Sequence, residues 1–545
     1  MRKLTQFYLF KISTNRLKRS NYNINLTINE ARKSGELITL SDSQMLRSLR
    51  KIKGQEISQD EINDFINTKR KIKNRKSSTE NLKELIEIDK KLDEYLFIPE
   101  FISVFITDLR EYEHIGRNGF IVNGTKYKRF ITGAGQSRRN NSIWVSEKYE
   151  AQLKQILNNG RKDISINPSK YSAYFGLASS ATLTVSTPYF CVVPDYVVTR
   201  TEKVDYITEV NGQDDLVEET EKELEFNIWD GQGLISVEYA KKLSEELELD
   251  YTPSAFIIRS NFIKGMVCTI DFHKFSEEVA CNHYITDVWG NRVNVRDMDV
   301  ILTQSQFKLW EAYDSIYDYQ KKCRENDLGW GISRVTPKIE NKYTFLNYQF
   351  IQVLDLNDSQ IKDLCKQTVN YFKDITKNNI ENTLLYLLGK LADQVEVSEV
   401  DKVFNRVQDK VTKALILNPK LLNDPYIKNH LLHSLNKKIK ESYIGNLLID
   451  GQYTIMIADP YAFMEYIFGM EIKGLLDRGE HYNKYWLNKK ESKIAAMRAP
   501  LTYKSEVGLL NLKQNEEINE WFKYLNTCVI YNVFGNDCLV HGGSD

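Results

Sequence analysis

Few of the residues that staple or anchor a fold are present in this chain. Its seven cysteines, Cys191, Cys268, Cys281, Cys323, Cys365, Cys528 and Cys538, are scattered, odd in number and never form a Cys-x-x-Cys pair. That pattern argues against both a disulfide framework and a zinc ribbon. No stretch approaches the ~18 consecutive apolar residues of a membrane-crossing helix, and the basic opening lacks the apolar run of a signal peptide. A cytoplasmic protein without membrane contact is expected. Net charge is absent too: 74 Lys and Arg balance 74 Asp and Glu, so no global field draws the protein to a polyanion, and any such surface must come from local segregation of charge. No Walker A sequence, no Gly-x-Ser-x-Gly elbow and no His-Glu-x-x-His occurs. Cys281 with His283, and His430 with His433, lack the companion cluster that a metal site needs.

At 545 residues the chain exceeds what one core can fill, and its 42% apolar content with 31 Tyr and 24 Phe supports two or three folded domains. Residues 1–100 read as a strand-like opening around Phe7, Leu9 and Ile12, then charged helices from about Ser41 to Leu96. The basic run from Lys69 to Lys76 is read as a solvated helix face. Residues 101–350 change to short apolar, β-branched runs separated by Gly, Asn, Asp and Pro, the pattern of strands. Residues 351–440 return to a helical period: Asn357 with Gln360 resembles a capping box, with Ile361, Leu364, Thr368 and Phe372 on one face, and Asn418-Pro419 and Asp424-Pro425 punctuate the later helices. Residues 441–545 are strand-like again.

Several short blocks carry chemistry. Trp229-Asp230-Gly231-Gln232-Gly233-Leu234-Ile235 is a glycine-rich turn, followed by Pro253-Ser254-Ala255-Phe256-Ile257-Ile258-Arg259 and Phe262-Ile263-Lys264-Gly265-Met266-Val267. Upstream stand Gly119-Phe120-Ile121-Val122, Arg129, Arg138 and Arg139; far downstream come Arg498-Ala499-Pro500 and the terminal His541-Gly542-Gly543-Ser544-Asp545. In this order the blocks resemble the two-barrel RNA polymerases, and among them the single-chain enzymes of the RNA-silencing type and their phage and prophage relatives. The resemblance covers roughly residues 115–545.

The resemblance implies an α+β fold with a complete first double-psi β-barrel, a helical connector and the start of a second barrel that ends at the first of three Mg²⁺-binding aspartates. It implies that Lys264, with Arg259 near it, approaches nucleotide phosphates, because phosphoryl transfer is mostly positioning and electrostatic stabilisation. Arg498, in an Arg-x-Pro loop with Pro500, would meet the ribose of the incoming nucleotide, its fixed fork suiting a 2′-hydroxyl. Arg129 and Arg138 would hold substrate or the nucleic-acid backbone. Asp545 would be the one metal-binding carboxylate present; since two magnesium ions need several, this chain alone is not expected to polymerise. The implied function is the N-terminal part of a DNA-dependent RNA polymerase acting with template, nucleoside triphosphates and Mg²⁺ in a bacterial or phage-infected cell, with a C-terminal chain as a further candidate partner that completes the site. Two alternatives stand beside it: an RNA-templated enzyme of silencing type, and an inactive nucleic-acid-binding fragment that needs a partner chain.

Overall fold

A computed structural model describes residues 2–55, 59–73, 78–377, 379–388, 410–501, 503–537 and 541. The chain divides into two compact units, residues 1–335 with 463–472, and residues 336–462 with 473–545. Helices and strands are mixed in both, the α+β class expected from the sequence. No helix among the described residues is long and apolar enough to cross a membrane.

The first unit opens with a seven-stranded sheet made of β1 (Gln6–Ser13), β2 (Asn23–Ile24), β3 (Leu37–Ser41), β4 (Phe97–Phe105), β5 (Phe120–Val122), β6 (Thr125–Ile131) and β7 (Asn141–Ser146), in the order β2-β5-β6-β7-β4-β1-β3. Successive side chains of a strand point to opposite faces. Phe101 and Val145 therefore enter the core shared with Met45, Leu49 and Phe256, while Ile102, Val104 and Trp144 pack on the other face with Phe10 and Ile12. Both faces are covered, which is why β4 reads as the nearly unbroken apolar run Phe-Ile-Ser-Val-Phe. Between β3 and β4 lie the helices Gln44–Ile52, Gln59–Lys73 and Thr79–Leu96. Lys69 pairs with Asp89 across the last two; residues 74–76, the end of the basic run, lie outside the described residues.

A second seven-stranded sheet follows. Its strands are β8 (Leu183–Val185), β9 (Phe190–Val193), β12 (Gln232–Ile235), β13 (Ala255–Ser260), β14 (Ile263–Thr269), β17 (Val300–Thr303) and β18 (Trp330–Val335), ordered β8-β18-β13-β14-β12-β17-β9. Two separate pairs complete the numbering, β10 (Val197–Val210) with β11 (Gln213–Asn227), and β15 (Tyr284–Thr286) with β16 (Arg292–Asn294). β12 lies parallel to β14 and antiparallel to β17, and β17 lies parallel to β9. The runs Phe-Cys-Val-Val of β9 and Val-Ile-Leu-Thr of β17 are buried along their whole length.

In the second unit, β19 (Tyr343–Phe345) pairs with β20 (Leu448–Asp450), and a five-stranded sheet joins β21 (Ile455–Ala458), β22 (Glu480–Tyr482), β23 (Lys493–Met497), β24 (Val507–Leu512) and β25 (Cys528–Tyr531) in the order β21-β25-β22-β24-β23. Its helices Asp358–Thr376 and Pro425–Tyr443 meet around Phe372, Ile375, Leu431 and Leu435.

Candidate functional site

The Lys264 neighbourhood is built by a tight hairpin. β13 and β14 pair antiparallel down to Ser260 opposite Ile263, leaving Asn261 and Phe262 as the turn. Phe262 sits at φ 59°, a left-handed conformation costly for a bulky residue. Its ring is buried and its carbonyl accepts the Lys308 amide at 3.0 Å, so tertiary packing holds the turn. Lys264 then stands directly across from Arg259.

Four cations gather around this hairpin. The Lys264 amine is depressed below the ordinary lysine range, first by the crowd of protein atoms around it, then by the positive charges of Arg259 and Lys308, with Arg138 adding to them and Asp230 opposing. Arg259 is half-buried; it donates from Nη1 to the Ile258 carbonyl at 2.6 Å, its Nε is buried with no partner among the described residues, and desolvation lowers its pKa. On the acidic side, Asp195 is raised, chiefly by burial, while the Ser305 amide at 3.0 Å favours its charged form and the Asp230 charge disfavours it. Lys264, whose charged form is disfavoured by desolvation and by neighbouring positive charge, and Arg259, whose charged form is disfavoured by desolvation, are suited to accept an anion of several charges.

Arg138 thus joins the Lys264 cluster, following the short helix Ala134–Ser137. Arg129 does not. It lies on β6 with its guanidinium 5.6 Å from the Tyr112 ring and lines a cleft with Arg117, Lys126, Lys128 and Glu150. Lys308 stands in no motif of the sequence; its amide, in the segment after β17, reaches the turn of the β13–β14 hairpin.

In the second unit, Arg498 and Pro500 are exposed on the loop after β23, and the Ala499–Pro500 peptide is cis. The loop is anchored by buried Leu501, whose amide donates to Gln349 Oε1 at 3.4 Å. Arg498 lies near enough to His541 for its charge to act on that ring. His541 is buried, with Nδ1 2.8 Å from the Tyr531 hydroxyl and Nε2 3.0 Å from the Glu506 carbonyl. His481 beside it pairs through Nε2 with the Asp537 carboxylate. This histidine pair had no sequence signal, because its members are sixty residues apart and meet only across β22 and β25. Asp545 and the preceding Gly542-Gly543-Ser544 lie outside the described residues. Among the described residues no group of three or more His, Cys, Asp and Glu side chains could hold a metal ion, so they do not by themselves fit a magnesium pair. His283 is satisfied by Ser276 Oγ at 3.1 Å.

The sequence model of the family described as RNA dependent RNA polymerase matches residues 71–535. The DNA-directed RNA polymerase YonO of Bacillus phage SPbeta is 30% identical over 424 residues, 74% of this chain and 46% of that protein. The chain therefore spans about half the length of the curated relative it matches. Among solved structures, the RNA dependent RNA polymerase QDE-1 from Thielavia terrestris aligns with 80% of this chain and 46% of its own, at 14% identity and a TM-score of 0.46.

Proposed function

The chain belongs to the RNA-dependent RNA polymerase family, and from that premise we propose that it forms the N-terminal part of a template-directed RNA polymerase in which the Lys264 cluster binds the triphosphate of the incoming nucleotide. The supporting observation is the gathering of Lys264, Arg259, Lys308 and Arg138 on and around one hairpin. Such cations stabilise the charge that develops on phosphoryl oxygens during transfer. Arg498 is assigned to the ribose, with Pro500 shaping its loop, and Arg129, with the cleft it lines, to the nucleic-acid backbone. Magnesium is the ion this chemistry uses; Asp545 is assigned to it, and the role of the described residues is confined to the phosphates and the template.

DNA is the favoured template, supported by the name of the phage relative, a DNA-directed enzyme. An RNA template is the second reading, supported by the description of the family. The test is RNA synthesis by the polypeptide of the whole reading frame that carries these residues, offered single-stranded DNA and RNA side by side with nucleoside triphosphates and Mg²⁺. Extension on DNA that falls in Lys264→Ala while template binding persists is the expected result. Equal synthesis by wild type and variant would remove Lys264 from the site.

A further inference from the structure

We propose that Gln306 is a positioning residue: its side-chain amide is threaded between β14, which carries Lys264, and the turn before β12, which carries Asp230, and sets where the Lys264 amine stands. The proposal rests on the phosphate-binding reading of Lys264 for its functional meaning, but its geometry is independent of that reading. Gln306 is fully buried in the turn after β17. Nε2 donates to the Gly231 carbonyl at 3.1 Å and to the Met266 carbonyl at 3.0 Å, and Oε1 accepts the Thr303 amide at 3.1 Å. Both N–H groups of the amide are thereby used, one on the turn before β12 and one on β14.

The two motif glycines make room for this one amide. A Cβ at Gly265 would stand 2.1 Å from Gln306 Nε2, and a Cβ at Gly233 would stand 2.6 Å from its Oε1. Neither glycine has a positive φ, so what each position requires is space; at Gly265 that space is filled by Gln306, and at Gly233 by Gln306 together with the Ile301 carbonyl, which would stand 2.5 Å from a Cβ. The residues that the amide grips flank the charges: Gly231 follows Asp230, and Met266 lies two residues beyond Lys264. Two residues after Gln306, the Lys308 amide is bonded to Phe262 in the hairpin turn, and Phe307 bridges Ile263. One short segment therefore fixes both ends of the piece of β14 that bears Lys264, and presents Lys308 beside it.

The amide is chemically specific. A carboxylate in its place would aim negative oxygens at two carbonyl oxygens, and an apolar side chain of equal volume would fill the gap without gripping either the turn or β14. The experiment follows acylation of the Lys264 amine by acetic anhydride as a function of pH, read by mass spectrometry, in the wild-type chain and in Gln306→Met. In parallel, binding of inorganic triphosphate is measured in both and in Lys264→Ala. Gln306→Met is expected to keep the far-ultraviolet circular dichroism of the wild type and to move the Lys264 labelling midpoint upward, as the amine leaves its cationic neighbours. Triphosphate affinity is expected to fall on the order of tenfold, the loss of one contact to a charged group, and Gln306→Met with Lys264→Ala should bind no more weakly than Lys264→Ala alone.

A labelling profile that superimposes on the wild type overturns the proposal, whatever the binding result. A shifted profile without triphosphate binding by any protein, wild type included, supports the positioning role and sinks the phosphate reading instead. Should Gln306→Met not fold, the pair Gly265→Ala with Gln306→Ala replaces the amide by a methyl in the same space, and wild-type labelling of Lys264 in that pair overturns the proposal equally.

Discussion

Arg259 and Lys264 face each other in register across the β13–β14 hairpin, two cations on one face of one sheet. Like charges directly opposite are destabilising by roughly 0.2–1 kcal/mol, and a buried guanidinium Nε without a partner among the described residues adds to the cost. Arg259→Met is therefore expected to raise the melting temperature of the unliganded chain while weakening its binding of inorganic triphosphate. A loss of both stability and binding would mean that Arg259 is a structural residue.

The depressed Lys264 amine leads to a chemical expectation. Although the side chain is exposed, its cationic surroundings disfavour the charged form, so Lys264 should acylate at lower pH than a lysine outside the cluster such as Lys420. A bound polyanion neutralises Arg259, Lys308 and Arg138 and pushes the amine back up. Added inorganic triphosphate should slow labelling at Lys264 and leave Lys420 unchanged; protection of both or of neither counts against a local site.

His541 makes the second unit sensitive to acid. Burial lowers its pKa below the ordinary imidazole value, with the Glu506 carbonyl and Asp537 working in the other direction and His481 and Arg498 adding to the depression. The unfolded chain then binds the proton more readily than the folded one, so the stabilisation is fully present above the unfolded value of about 6.5 and is lost as pH falls through the folded value. Melting temperatures measured from pH 7.5 to 5 should decline, and His541→Phe should flatten the part of the decline that belongs to this ring.

The helix Asp358–Thr376 begins with a reciprocal cap in which Asn357 Oδ1 accepts the Gln360 amide at 3.0 Å and Gln360 Oε1 accepts the Asn357 amide at 3.0 Å. Asn357→Ala is expected to cost about 1 kcal/mol by denaturant unfolding. An unchanged midpoint would show that the start of this helix is held by packing alone.

Replacing Arg498 by Met in the polymerase of the whole reading frame is expected to narrow its preference for ribonucleotides over deoxyribonucleotides, since an apolar side chain offers the 2′-hydroxyl no donor. Competition between the two nucleotide sets in one extension reaction measures it, and an unaltered ratio separates Arg498 from the ribose.

What could be read from the sequence was what is local. The Asn357 cap, the prolines that start the segments Pro419–Asn423 and Pro425–Tyr443, and the strands bearing Gly233 and Lys264 all announce themselves through neighbours within a few residues. Lys308 and Gln306 do not, because their roles arise only when the segment after β17 is laid against a hairpin some forty residues earlier. The pairing of β1 with β4 was equally hidden: the strands are separated by about ninety residues, most of them helical. Arg129 and Arg138 are nine residues apart and look alike in sequence, yet the end of β6 and the short helix after it send them to different clusters.

The β10–β11 hairpin pairs with no other described strand, and between Val197 and Asn227 it carries ten acidic and three basic side chains. Electroneutrality of the chain is thus a sum of two unlike parts, an arm with seven excess negative charges and a remainder with seven excess positive ones. Shortening that arm to its turn would convert a neutral protein into a cationic one, retained on sulfonate resin at a pH where the intact chain flows through.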